Sequence, residues 1–292
     1  MSVRKDIVDG LSYGLRTKGL IYTKILGWID LGHARGDDMR RLKKTLFEEK
    51  GRKFIPKLNE WYFPVDYYQE MAYSIENTDL NIWGGVHSPL MVRSCLSDEM
   101  KKRVALTVMM KIAWRFEAFQ DSSLINWKTD SGFSAEDLVS DLVGFYRIFG
   151  SDIDVLMLAQ PTRLTYALSL WDHYGPVGGF KNYGFRPLLF PKPCPPKKSL
   201  PRLRYLPSWL NYIQPLGDLS DKFISNRYLN VPVKDFFSEK NRLNGELYTS
   251  LRKGFEFRDK AEMPSHFNYH SHTPVPPDYF HIGGDSSNPT WR

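Results

Sequence analysis

The spacing of apolar positions along this chain predicts helices first. Over residues 36–50, Met39, Leu42, Leu46 and Phe47 share one face and charges occupy the other. The same spacing of Tyr67, Met71 and Ile75 predicts a helix over 65–76, followed by a Trp83-Gly84-Gly85 turn. The clearest signal covers 98–119. There Leu96-Ser97-Asp98-Glu99 supplies an N-cap and early negative charge, and Val108 or Met109, Ile112, Ala113 and Phe116 recur every three or four residues. Residues 121–133 are polar around a short alternating segment, 124–129, which reads as a hairpin or an extended loop. Ser134 then caps a helix over 135–149 with Asp137 at a near capping-box position, and Gly150 stops it. A further helix is expected over 151–172.

From Gly175 the pattern breaks. Nine prolines between Pro176 and Pro215 remove backbone donors and fix φ, so long regular elements are not expected there. A short helical segment is expected at about 234–253, and the tail over 262–292 reads as extended. No internal repeat or heptad pattern is present. The expected fold is α+β and mainly α-helical. A globular helical body with a small sheet occupies 1–174, and an irregular Pro-rich arm over 175–292 wraps it.

Composition narrows the partners. At 292 residues the chain can bury a large core. Forty Lys and Arg against 33 Asp and Glu leave a net charge of +7, which favours anionic partners. The densest basic cluster, Met39–Lys44, reads as a solvated helix face. Aromatic residues make up 14% of the chain, which suits stacking on carbohydrate or bases, or an ordinary aromatic core. The two cysteines do not form a disulfide framework or a metal-ligand spacing; Cys95 is expected buried and Cys194 inert on a loop. Nothing near Met1 resembles a signal peptide, and no apolar run approaches the roughly 18 residues that span a bilayer. The protein is therefore expected to be made in the cytoplasm, and to need a machine that exports without a cleaved signal if it acts elsewhere.

Candidate chemistry lies in a split set of polar residues. Gly27-Trp28-Ile29-Asp30-Leu31-Gly32-His33-Ala34-Arg35 places Asp30 and His33 on one face of a turn, where a carboxylate can fix the imidazole tautomer. The alternative is a structural histidine near a helix start. Glu117 follows Trp114 and Phe116, and desolvation by aromatics raises a carboxyl pKa toward that of a general acid. Its layout, an acid at a helix end before a hairpin-like segment, resembles the lysozyme superfamily; a surface Glu paired with Arg115 or Lys111 is the other reading. Glu136 and Asp137 suit a second carboxylate, and also suit helix capping. Asp141 lies one turn after Asp137, and two like charges at that spacing repel unless a cation sits between them. Glu70, on the expected 65–76 helix, is a candidate active-site wall. His266, His270 and His272 could bind zinc but lack a fourth ligand, so they read as a solvated loop. The familiar nucleophile-elbow, phosphate-loop, dinucleotide and zinc-helix motifs, and the common nucleic-acid modules, are absent from the sequence.

The Gly27–Arg35 segment, Glu117, and Phe133-Ser134-x-Glu136-Asp137-Leu138-x-Ser140-Asp141-Leu142-x-Gly144 together resemble an uncharacterised family of bacterial, often envelope-associated proteins. The likeness covers about residues 19–150. The chain departs from the family in having Asp141 for Asn, Lys24 where a Cys is common, and no export signal. The missing Cys removes any thiol chemistry, and the missing signal implies delivery by a contact-dependent secretion system.

The expected function is bacterial cell-wall hydrolysis, cleaving glycan, by an exported antibacterial effector. Glu117 is the general acid, Asp137 or Glu136 the second carboxylate, Asp30 orients His33, and Arg35 and Trp28 bind substrate. Expected partners are peptidoglycan or another anionic glycan and a small inhibitor (immunity) protein; nucleic acid is not expected. No cofactor is required, unless His33, Glu117 and Asp137 bind a divalent metal for a hydrolase or amidase. The third possibility is a non-catalytic glycan- or protein-binding protein.

Overall fold

A computed structural model describes residues 2–56, 58–74, 80–120, 132–150, 153–194, 199–216, 222–226, 246–253 and 268–270. In chain order the longer elements are β1 (Leu20–Thr23), β2 (Gly27–Asp30), α1 (Asp37–Glu48), β3 (Lys53–Ile55), β4 (Glu60–Ser74), β5 (Leu80–Arg93), α2 (Asp98–Gln120), α3 (Asp137–Phe149), α4 (Val155–Leu158) and α5 (Leu164–Tyr174). The strands β6 (Leu188–Leu189), β7 (Arg202–Leu203), β8 (Ile224–Asn226), β9 (Glu246–Lys253) and β10 (Asn268–His270) follow.

The chain divides into two compact units that do not follow a boundary at 174/175. The first takes the described residues up to Met39 and those from Gln120 to Pro215; the second takes Arg40–Phe119 and the described residues from Leu216 onward. In the first unit, β1 and β2 form an antiparallel hairpin, β6 joins β2 in parallel at Gly27–Leu188, and β7 completes the sheet order β1-β2-β6-β7. Its core is aromatic: Tyr22, Trp28, Trp171 and Phe190 meet edge to face, with Leu20, Leu170 and Val177 among them.

The second unit is built on the sheet β10-β9-β5-β4-β3, with β8 also paired to β5. The long β4–β5 pairing runs from Tyr62–Arg93 to Ser74–Asn81. Helix α2 is buried on all sides from Val104 to Gln120 and carries Lys111, Arg115 and Glu117 inside.

These two sheets overturn the expectation of a mainly helical body with a small sheet. Residues 65–74 of the expected helix over 65–76 belong to the strand β4, 75 and 76 lie outside the described residues, and the expected Trp83-Gly84-Gly85 turn lies within β5. The cause is arithmetical. Residues four apart share a face in a strand as well as in a helix, so Tyr67 and Met71 satisfied both periods. The dense Tyr, Phe and Val content of 62–68 favours the pleated form. The helix expected over 151–172 is split into α4 and α5, between which Pro161 and Thr162 meet the edge of β1. In the segment expected helical at 234–253, residues 246–253 are strand β9; 234–245 lie outside the described residues, as do 121–131. Cys95, expected buried, is exposed at a positive φ of 59°. The remaining helices form where the pattern placed them. Ser97 caps α2 through Met100 N–H at 3.3 Å, and Arg40, Arg41, Lys43 and Lys44 line the solvent face of α1.

Candidate functional site

The residues that converge are at the junction of β2 and α3 in the first unit. After β2 the chain turns through Gly32 into a single 3-10 turn, His33–Arg35, which ends at Gly36. Asp30 organises this turn: its Oδ1 accepts from the backbone N–H groups of Gly32 and His33. Gly36 has a φ of 67° and sits directly on Gly144 of α3, where a Cβ at Gly144 would meet His33 O at 2.8 Å. That close approach brings the turn against the helix.

Ser140 ties the two elements. Its hydroxyl donates to Glu136 O at 2.6 Å and accepts from Asp30 N–H at 2.9 Å. One residue on, Asp141 Oδ1 lies 3.0 Å from His33 Nδ1. Asp141 is nearly buried, at 7% side-chain exposure, whereas the His33 ring is 33% exposed. Nδ1 is therefore the anchored nitrogen, and no hydrogen bond to Nε2 is made by the described residues. Desolvation pulls the imidazole pKa down, but the charge and hydrogen bond of Asp141, with Asp30 and Asp137 behind it, hold it well above its ordinary value. The surroundings of His33, with Asp141, Asp30 and Asp137 facing it, thus favour the protonated imidazole.

The neighbours have other duties. Asp137 is half-buried and its Oδ2 accepts from Ser134 N–H at 3.0 Å; the N-cap of α3 is Glu136 rather than the expected Ser134, whose hydroxyl is turned to the Glu136 carboxylate. Glu136 is buried, at 2% exposure, and its carboxylate accepts from the hydroxyls of Ser134 and, at 3.1 Å, Ser2. Burial pushes the Glu136 carboxyl up, opposed by those hydrogen bonds and aided by Asp30. Arg35 is half-exposed and pairs with Asp37 at 2.8 Å, and Arg147 donates to Ala34 O at 2.7 Å, closing the turn from the other side.

The other candidates lie elsewhere. Trp28 is 2% exposed and packs in the aromatic core, so its ring does not reach a surface. Glu117 is 1% exposed on α2, and Glu70 is half-buried on β4; both belong to the second unit, whereas His33, Asp30, Glu136 and Asp137 belong to the first. Among the described residues no three His, Cys, Asp or Glu side chains are grouped to hold a metal ion, and His266 and His272 lie outside them.

Asp141 was the partner least visible in the sequence. The signal for it was the like-charged Asp137–Asp141 pair one helical turn apart, and the cation between them is His33. A second pair, His87 Nε2 to Asp66 Oδ1 at 3.0 Å, crosses β4 and β5. His87 is only 4% exposed there, which suits a cross-strand tie rather than chemistry. No described helix is long and apolar enough to cross a membrane. Compared with protein-family models, curated proteins and solved structures, the chain matches none.

Proposed function

We propose that this protein is a hydrolase of the bacterial cell wall that cleaves glycan, with His33 rather than Glu117 supplying the proton. The observation that carries this reading is the His33–Asp141 pair: an anchored, cationic imidazole one-third open to solvent, against a nearly buried carboxylate. An imidazolium of raised pKa is a proton donor at neutral pH, and its open Nε2 edge would protonate the leaving oxygen of a glycosidic bond. Asp137 and Asp30, both partly exposed beside it, would stabilise the positive charge that develops on the sugar or take a proton from attacking water. Glu136, buried and engaged by two hydroxyls, holds the start of α3 in place. Arg35, half-exposed beside the turn, would contact an anionic group of the polymer. The likeness to envelope-associated bacterial proteins and the basic charge support an exported antibacterial effector restrained by a small inhibitor protein.

The test is digestion of purified peptidoglycan sacculi by the wild type, His33→Ala and Asp141→Asn, with analysis of the released fragments. New reducing ends from the wild type and their loss in His33→Ala support glycan cleavage. New amino ends instead would reassign the bond to an amide. Unchanged sacculi under all three proteins would end the hydrolase reading.

A further inference from the structure

Away from His33, the first unit carries a cleft of about 390 Å³ whose walls include Lys24, Arg202 and Arg204. All three side chains are exposed, and none forms an ion pair among the described residues. No acidic residue lines the cleft. Its apolar floor is Tyr22 and Phe190, and the half-exposed ring of Tyr166 lies 6.0 Å from that of Tyr22.

Backbone structure puts the cations there. Arg202 is on β7 in register with Leu189, and Arg204 N–H donates to Pro187 O at 2.9 Å. Residues two apart on an extended chain share a face, so both guanidinium stems leave the same side. Lys24 follows β1, with its N–H donating to Gln160 O at 3.0 Å. The floor is locked by Tyr22, whose hydroxyl donates to Phe190 O at 3.1 Å and accepts from Phe190 N–H at 3.0 Å.

Three like charges drawn to one concavity repel one another, and low-dielectric walls concentrate their field on whatever anion enters. A single carboxylate leaves two of them unneutralised. A phosphate or diphosphate matches the charge and offers oxygens in the geometry that a guanidinium fork accepts. The cavity has the size of a small-ligand pocket, and Tyr166 gives it a flat wall. We propose that this cleft binds a phosphate-bearing ligand whose ring lies against Tyr166. The source of the phosphate is a nucleotide or a sugar phosphate, which share the recognised group. This site is independent of the His33 chemistry and needs no cell-wall substrate.

The test is calorimetric titration of the full chain at low salt with inorganic pyrophosphate, a nucleoside diphosphate and a sugar phosphate. Saturable binding is expected, weakened by added salt and by about tenfold or more in the Arg202→Ala/Arg204→Ala double variant. Circular dichroism checks that this surface variant keeps its fold. The ring-bearing ligand that gains over pyrophosphate names the source, and that gain is lost in Tyr166→Leu. Failure of all three probes to saturate, or equal affinity in the double variant, overturns the site. A ring that adds nothing over pyrophosphate overturns the role of Tyr166.

Discussion

His33 is where a single side chain decides most. Its pKa is raised above the ordinary value of about 6.5 by Asp141, so folding takes up a proton at this position. The resulting stability is fully present below the unfolded pKa and is lost as pH rises through the raised folded value. Asp141→Asn removes the main source of the shift. The gap in melting temperature between wild type and Asp141→Asn is therefore expected to be widest just below about pH 6.5 and to close at alkaline pH. A gap that widens with pH would mean that the pair is not an imidazolium–carboxylate pair. The His33 imidazole resonances, followed by NMR, should titrate at lower pH in the variant. If His33 donates the proton in catalysis, activity falls as pH rises through the same raised value. The sequence placed Asp30 beside His33, and Glu136 beside Asp137, because each pair lies within one short motif. It could not pair His33 with Asp141, because the contact spans 108 residues and depends on how β2 meets α3.

At the scale of elements, the junction depends on the missing side chain of Gly144. Alanine is favoured over glycine inside a helix by about 1 kcal/mol. At Gly144, however, a Cβ would meet the fixed backbone of His33 at 2.8 Å and of Gly36 within 3.3 Å. Overpacking of this kind costs about 1–3 kcal/mol, so Gly144→Ala is expected to destabilise the protein and push His33 away from Asp141. A stabilised Gly144→Ala in chemical denaturation would refute the close contact. The Pro-rich stretch is held by a comparable device at two places. Tyr146 donates to Ile213 O at 3.1 Å and accepts from Ile213 N–H at 3.2 Å, as Tyr22 does with Phe190. Tyr146→Phe leaves a buried backbone pair without its partner and should cost about 1–3 kcal/mol by the same measurement. Helices α1, α2 and α3 were legible because their caps and apolar spacing are local. Strand β4 was not, because its pairing with β5 is set by register, and the spacing of Tyr67 and Met71 served either period.

At the scale of the whole molecule, the unexpected feature is how much charge is carried inside. From Val104 to its end helix α2 has no solvent face, so Lys111, Arg115 and Glu117 are buried with it. The sequence hid this because the helix pattern was read as one apolar stripe, whereas every residue from Val104 to Gln120 is buried. Arg115 is 1% exposed, and none of its three guanidinium nitrogens finds an acceptor among the described residues. Burial pulls its pKa down from the ordinary guanidinium value to about 10. A depressed pKa on a cation means that the folded state disfavours the charge, so the penalty applies in full below about pH 10 and fades as pH rises above it. Arg115→Met fills similar volume without the charge. It is expected to stabilise the protein at neutral pH by about 1–4 kcal/mol in chemical denaturation, with a smaller gain above pH 10. A loss of stability instead would mean that the guanidinium is held by an acceptor, and that the charge in α2 contributes to the fold rather than opposing it.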